Sequence, residues 1–494
     1  MRGGSLRQRL MQAISERELR PSPEALDFLE SLPNAEDFLS NFLSSKGGKL
    51  FLSREDLEGF RKESQFSKED VLIDVGKGSF TPFALNVTPL IELSVLDSDV
   101  TGRSRCEGKV SDFVNYFKDR FKRLSRPLRR MQSKNAFLPL RDVVQSSHKA
   151  ARVIGLVYSR KVTRNGHLLF EVEDENGFAP CLIPRDSELF EEGSSILTDE
   201  VVAFDVYSSN GLLIVKGFDR PGKIFQTRRK TLSSRDVSIA FLSDLHVGSK
   251  LFMKDEFQKF LKFLNGECSS GLREKAGKIK YLSIAGDLTD GIGIYPSQEK
   301  ELLTKDILKN VPEHIEVIVS PGNHDAVRTA EPQPALSEDF VSHLEGFRNM
   351  HFVGNPSTHR VEGLELLIYH GTSADGVIAN APSLKEGYEF PERVARELLK
   401  KRHLCPIYGE DALVPESRDY LVIEDQPDLF HFGHVHKNGY DADFFGTAIV
   451  NSGTWQAQTD FQVRMGHVPS PCLLPIYDLK EGVIETLDFN TLKL

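Results

Sequence analysis

Cysteine is scarce in this 494-residue chain. Cys106, Cys181, Cys268, Cys405 and Cys472 lie far apart, and no Cys-x-x-Cys pair exists. Neither a zinc ribbon nor a disulfide framework is signalled, and reduced thiols are the expectation. No apolar run approaches the roughly 18 residues needed to span a bilayer. The N-terminus, MRGGSLRQRLMQAISEREL, lacks the apolar core of a signal peptide. These absences predict a cytoplasmic protein with no membrane contact. An excess of positive charge is missing too: 62 Lys and Arg face 72 Asp and Glu, for a net charge of −10. A free-standing nucleic-acid binder is usually basic, so any affinity for DNA must come from local patches, from metals or from a partner. What remains is ordinary. A chain that is 39% hydrophobic and 27% charged is too apolar for disorder, and its length suits about three domains of ~150 residues.

Chemistry is concentrated in the C-terminal half. Five short motifs run in order: Asp244-Leu245-His246, Gly286-Asp287, Gly322-Asn323-His324-Asp325, Tyr369-His370-Gly371 and Gly433-His434-Val435-His436. Each ends an apolar run of strand length: VSIAFLSDLH, IKYLSIAGD, IEVIVSPGNH, LELLIYHG and DLFHFGHVH. In open α/β folds ligands gather outside the carboxyl ends of parallel strands, so these five loops are expected to converge on one crevice. A binuclear site for Mn²⁺, Fe²⁺ or Zn²⁺ wants mixed imidazole and carboxylate ligands, with the ions about 3.5–4 Å apart. Asp244, His246, Asp287, Asn323, His370, His434 and His436 supply that mixture. Asn323 adds a neutral amide oxygen. His324 need not be a ligand; beside the metals it suits the role of general acid, with Asp325 to orient it. Taken singly, each motif is ordinary turn chemistry or a satisfied core histidine. Jointly, they place five of the 14 histidines at successive strand ends.

The order D-x-H, GD, GNH, H, GH-x-H resembles the calcineurin-like metallophosphoesterase superfamily. The surrounding words FLSDLHVGS, AGDLTDGIG, PGNHDAVR, YHGTSADG, FGHVHKNG and NSGTWQAQTDFQ are similar to those of the small subunit of archaeal family-D DNA polymerase, over most of 145–494. The resemblance implies a 3′→5′ proofreading exonuclease that hydrolyses terminal phosphodiesters, working beside a separate large polymerase subunit. It implies two divalent ions, Mn²⁺ first, with Fe²⁺, Zn²⁺ or Mg²⁺ as alternatives. One ion would be held by Asp244, His246, Asp287 and His436. The other would be held by Asp287, Asn323, His370 and His434, with Asp287 as bridge and His324 as catalytic acid. Two other classes stay open: a stand-alone metallophosphoesterase acting on nucleotides or phosphoproteins, and a non-catalytic assembly subunit. The GH-x-H ending disfavours protein phosphatases of the superfamily, and the filled ligand positions disfavour a scaffold.

The rest of the chain predicts a multidomain protein: a short N-terminal helical region, an OB-like β-barrel and a C-terminal α/β metallophosphoesterase sandwich. Residues 1–75 read as short helices, one opened by Pro23 and another carrying Phe38, Leu39, Phe42 and Leu43. They suit a partner-docking domain or a plain bundle. Residues 76–144 read as linker with one basic amphipathic helix. From Lys109 to Met131, Val110, Phe113, Phe117, Phe121, Leu124 and Leu128 mark an apolar face. Lys118, Arg120, Lys122, Arg123, Arg126, Arg129 and Arg130 mark the other, and Pro127 should kink or end the helix. This helix either tracks phosphates or packs on the next domain. Residues 145–225 hold about five short strands with Asn-Gly turns at Asn176-Gly177 and Asn210-Gly211, as an OB-fold requires. Tyr158, Phe170, Phe178 and Tyr207 are its candidate stacking aromatics, although a protein-binding barrel fits equally. The phosphoesterase domain, 236–494, should carry helices at KDEFQKFLKFLNG, SQEKELLTKDILKNV and PERVARELLKKRH. Trp455, the only tryptophan, either stacks on a terminal base or fills a core gap.

Overall fold

The computed structural model describes residues 7, 10, 11, 14, 20–30, 35, 39, 51, 52, 57, 80–93, 99–146, 150–291, 310–341 and 348–494. The chain divides into two compact units, Met1–Ser79 and Phe80–Leu494. In the first, helix α1 (Pro23–Glu30) opens at Pro23 as its sequence predicts, with Ser22 Oγ accepting the Ala25 amide at 3.2 Å. Ala25, Leu26, Phe28 and Leu29 pack with Leu10, Ile14, Leu39 and Leu57 into a small core. Two short strands not foreseen in the sequence, β1 (Arg20–Pro21) and β2 (Phe51–Leu52), pair in parallel. Most of the second expected helix lies outside the described residues.

The large unit begins earlier than a linker allows. Phe80 packs against Gly266, β3 (Ile91–Glu92) joins the edge of a sheet, and the Asp99 carboxylate accepts the Gly354 amide at 3.0 Å. The described parts of 80–108 are therefore built into the large unit, because their few apolar and acidic side chains have partners there. Helix α2 (Val110–Arg130) follows and runs three residues past Pro127 before it stops. Its basic face is divided. Arg120 is buried, with Nε 2.8 Å from Asp419 Oδ2 and Nη1 2.8 Å from Pro406 O. Arg123 is buried against Asp119, Glu424 and the Asp419 carbonyl. Lys118, Lys122, Arg126, Arg129 and Arg130 remain exposed. Leu124 and Leu128 pack on the barrel. Packing thus accounts for two of the seven cations and for the apolar face from Phe113 to Leu128, whereas Val110 is exposed.

After helix α3 (Leu140–Gln145), five strands close into a barrel: β4 (Ala150–Val162), β5 (Leu168–Asp174), β6 (Gly177–Ile183), β7 (Val201–Ser209) and β8 (Leu212–Asp219). The order around it is β4-β5-β6-β8-β7, and only β6 and β8 pair in parallel. Both Asn-Gly turns fall where the sequence places them. Asn210 and Gly211 take φ of 50° and 80°, the pair of positive values a type I′ hairpin needs. Phe170 lies in the barrel core with Phe204, which removes it from the stacking candidates. Tyr158 and Phe178 are exposed and meet edge to face at 6.0 Å.

The remainder is two six-stranded sheets face to face. The first comprises β9 (Ser238–Leu242), β10 (Ile279–Ala285), β11 (Glu316–Ser320), β12 (Met350–Phe352), β18 (Leu473–Asp478) and β19 (Ile484–Asp488), in the order β12-β11-β10-β9-β18-β19. The second comprises β3, β13 (Ser357–Val361), β14 (Leu364–Tyr369), β15 (Leu429–Phe432), β16 (Asn438–Phe444) and β17 (Thr447–Ser452), in the order β16-β17-β15-β14-β13-β3. In β9, Ile239 and Phe241 face the other sheet, whereas Ala240 and Leu242 face helices α4 (Lys254–Leu264) and α5 (Ser270–Lys278). Helices α6 (Ala374–Asn380) and α7 (Pro391–Lys401) cover the second sheet. Burial on both faces is why the motif strands read as continuous apolar runs. The expected helices at 254–266 and 391–403 are present; most of that at 297–311 lies outside the described residues. No helix among the described residues is long and apolar enough to cross a membrane.

Candidate metal centre

Strands β9, β10 and β11 run parallel, as do β14 and β15 in the facing sheet. Each of the five ends at one of the motifs. Asp244 and His246 follow β9, Asp287 follows β10, Asn323 to Asp325 follow β11, His370 follows β14, and His434 and His436 follow β15. The five loops meet. Asp244, His246 and His436 bring ligand-type atoms within 4.8 Å of one another, and so do Asp244, Asp287 and His370. His246 Nε2 and His436 Nε2 stand 3.0 Å apart, and His436 Nε2 is 3.4 Å from Asp244 Oδ1. Asp287 Oδ2 lies 3.4 Å from His370 Nε2 and 3.8 Å from His246 Nε2. Asn323 Oδ1 is 2.9 Å from the same His370 nitrogen.

This donor set fits divalent cations. Two ring nitrogens aimed at each other at 3.0 Å repel unless a proton or cation lies between them, and buried carboxylates beside them supply the countercharge. Burial alone would lower the His370 pKa, but Asp287 and Asp244 push it up to about 10. Burial opposes ionisation of Asp287 as well, yet His370 and His246 hold its carboxyl well below the usual range. The field that retains protons on these rings would equally retain a metal ion. The backbone is shaped around the side chains. A Cβ on Gly322 would fall 2.2 Å from Asp287 Oδ1, and one on Gly433 would fall 2.5 Å from Asp244 Oδ2. The glycines of the GNH and GH-x-H motifs are therefore required by close approach.

A surrounding layer orients the ligands. His370 Nδ1 donates to the Ala285 carbonyl at 2.9 Å, which leaves Nε2 free to face a metal. His436 Nδ1 contacts Gln462 Nε2 at 2.9 Å, and His246 Nδ1 lies 3.3 Å from Asp290 Oδ1. The side chain of His434, expected as a ligand, is not brought into either cluster; its backbone amide donates to the Asp244 carboxylate at 2.9 Å. Its Nε2 turns to Asp375 Oδ2 at 3.2 Å. His324 is exposed at the mouth, its ring edge-on to His246 with centroids 5.0 Å apart. Its Nδ1 lies 3.3 Å from the Asp290 carbonyl. Asp325, expected to orient it, instead accepts the Leu288, Thr289 and Gly322 amides. It braces the β10 and β11 loops against each other, and burial beside Asp287 raises its pKa to about 7. Asp290, Asp375 and Gln462 were not singled out in the sequence. The available signal was their position inside the motif words GDLTDG, YHGTSADG and TDFQ.

Trp455 is a core residue. It is fully buried against Phe257, Phe260 and Phe489, which removes it as a base-stacking surface. Its amide and the Thr454 hydroxyl both donate to the Asp244 carbonyl. The segment after β17 thus pins Asp244 from behind.

Comparison with known proteins identifies the class of this chain: a small subunit of a DNA polymerase. The family of B subunits of DNA polymerases alpha and epsilon matches residues 239–439. The DNA polymerase II small subunit of Methanocaldococcus jannaschii is 42% identical over 399 residues, covering 78% of this chain and 66% of that protein. The corresponding subunit of Methanothermobacter thermautotrophicus is 37% identical over 406 residues, covering 80% and 82%. That of Archaeoglobus fulgidus is 39% identical over 401 residues, covering 78% and 79%. The chain belongs to the family of archaeal DNA polymerase II small subunits.

Proposed function

We propose that this chain is the 3′→5′ exonuclease of a two-subunit replicative polymerase, its two facing sheets forming a metallophosphoesterase sandwich. The observation that carries this reading is the meeting of Asp244, His246, Asp287, Asn323, His370 and His436 from five strand ends at ligand distances. Asp244, His246 and His436 would hold one divalent ion, Asn323 and His370 the other, with Asp287 between them. His434 would complete the second set by turning from Asp375. Mn²⁺ suits the nitrogen and oxygen donors, as do Fe²⁺ and Zn²⁺. Such ions supply Lewis acidity and a nucleophile available at neutral pH.

The remaining work falls to the chain. His324, at the open mouth, is placed to protonate the leaving 3′ oxygen, and the Asp290 carbonyl fixes its ring. The buried Asp325 holds two ligand loops in register. A net charge of −10 leaves few phosphate contacts to this chain alone, so a large, DNA-binding polymerase subunit is the partner, docked through the barrel and the face of the sandwich beside it. The test is the purified chain with Mn²⁺ on 5′-labelled single-stranded DNA, double-stranded DNA and p-nitrophenyl phosphate. A ladder shortened from the 3′ end is expected. Hydrolysis of the monoester alone would replace this reading with a stand-alone phosphomonoesterase.

A further inference from the structure

Helix α8 (Asp460–Met465) is short and buries none of its residues. Its sequence explains why it forms. Thr459 and Gln462 make a reciprocal cap, Gln462 N donating to Thr459 Oγ1 at 3.2 Å and Thr459 N to Gln462 Oε1 at 2.9 Å. Gly466 stops the helix at φ 74°. Among the described residues, none of its apolar side chains joins a hydrophobic core. Phe461, Val463 and Met465, with Val468 beyond, are each more than half exposed. Such a set on a six-residue helix has no folding role, and its anchorage shows where it belongs. The same Gln462 amide that caps the helix reaches His436 Nδ1 at 2.9 Å. A second link runs in parallel: His434 Nε2 contacts Asp375, whose other oxygen accepts the Tyr388 hydroxyl at 2.8 Å. Tyr388 stacks on His467 with centroids 3.9 Å apart and rings 28° from parallel. Lys437 Nζ donates to the Val468 carbonyl. Both histidines of the GH-x-H motif are therefore joined through a single side chain each to one aromatic and apolar rim.

We propose that this rim, centred on Phe461 and Met465, is a stacking platform for the unpaired nucleobases next to the scissile phosphate. The inference deepens the exonuclease reading and rests on it. An aromatic on a rigid cap beside a phosphodiester site offers a π-face to any base, which gives affinity for single strands without sequence preference. Arg464 is exposed on the same helix, a cation suited to a phosphate backbone. A protein partner is a poorer fit, because one six-residue helix offers far less surface than the roughly 800 Å² per side of a standard interface.

The experiment uses the full chain with Mn²⁺ and compares wild type with Phe461→Ala, Met465→Ala and Phe461→Trp. Three readouts are taken: an oligonucleotide with 2-aminopurine at its 3′ end, bis(p-nitrophenyl) phosphate, which is a diester without bases, and co-purification with the large subunit. Phe461→Ala should raise KM for the oligonucleotide about tenfold, the scale of one lost base stack. It should also relieve the 2-aminopurine quenching seen in wild type, while Phe461→Trp restores both. Hydrolysis of bis(p-nitrophenyl) phosphate should not change. Unaltered oligonucleotide kinetics and quenching would overturn the platform. So would loss of the large subunit with DNA handling intact, which would make the rim a protein-docking site. Failure of wild type to cut either substrate would overturn the exonuclease reading, and the quenching readout would still decide whether the rim stacks bases.

Discussion

Replacing His431 with asparagine should flatten the acid-side stability profile. His431 lies in β15 between the sheets, fully buried, with Nδ1 2.8 Å from Ser283 Oγ and Nε2 3.0 Å from Ser452 Oγ. Ser452 Oγ donates to Ser243 Oγ at 2.8 Å, next to Asp244. Burial pulls the imidazole down from its ordinary 6.5 to about 3. The folded-state pKa is thus depressed, so the unfolded chain takes up a proton in acid that the folded one refuses. The resulting stability is present above pH 6.5 and is lost as the pH falls towards 3. At about pH 5 the loss is roughly 1.5 units at 1.36 kcal/mol each, or about 2 kcal/mol. Urea unfolding in the presence of chelator, followed by the fluorescence of Trp455 in the same unit, reports it. Wild type should lose about 2 kcal/mol more than His431→Asn between about pH 7.5 and about pH 5. Equal losses would show that His431 titrates normally in the folded state and that the buried tie between the sheets is absent.

Other outcomes follow from the same geometry. Asp287→Ala should empty both metal positions, since Asp287 Oδ2 faces His246 and His370 alike; two full equivalents of metal in the variant would contradict the shared role. His324→Ala should keep the metals and lose about 10²–10⁴-fold in rate on DNA. The loss on a p-nitrophenolate leaving group should be much smaller, and equal losses would exclude general acid chemistry. Asp419→Ala should destabilise the fold by about 3–5 kcal/mol, because it strands the buried Arg120 guanidinium; a denaturation midpoint within error of wild type would refute this. Reversing Lys118, Lys122, Arg126 and Arg129 to glutamate should weaken DNA binding and reduce its salt slope by about 0.9 per lost phosphate contact, whereas an unchanged slope would make that face merely solvated.

The site was more legible than its surroundings for a physical reason. Metal-ligand residues must come as particular types at strand ends, so the motifs around Asp244, Asp287, Asn323, His370 and His436 fixed both a strand register and a meeting point. The barrel was legible through its turns, since Asn210-Gly211 leaves few options to the backbone. What the sequence did not show was orientation. Arg120 and Arg126 sit on the same basic helix face by composition, yet one is buried on Asp419 and the other is exposed. That difference depends on a carboxylate 299 residues away. Asp325 and Asp290 are likewise both acidic neighbours of the site. Only packing decides that Asp325 spends its oxygens on backbone amides, leaving Asp290 to face the two histidines. The strand within 80–108 was missed because a two-residue edge strand such as β3 carries no periodicity to read.

The backbone of the centre supplies an argument independent of its side chains. Asp244, His246, Asp287, His434 and His436 all take φ between 50° and 68°, a left-handed conformation uncommon for L-residues, though less so for Asp and His than for most. Each such residue costs of order 1–3 kcal/mol and persists only where the surroundings over-determine it. Those surroundings are identifiable. The Asp244 amide donates to Gly286 O, the His246 amide to Asp287 O, and the His434 amide to the Asp244 carboxylate. The Asp244 carbonyl is taken by Trp455 and Thr454. Glycine would take this conformation without the steric cost. Here the strained positions coincide with the residues whose side chains converge, and the fold's hydrogen bonds are committed to holding them there. Their concentration at one point is what the proposed metal centre requires of the fold.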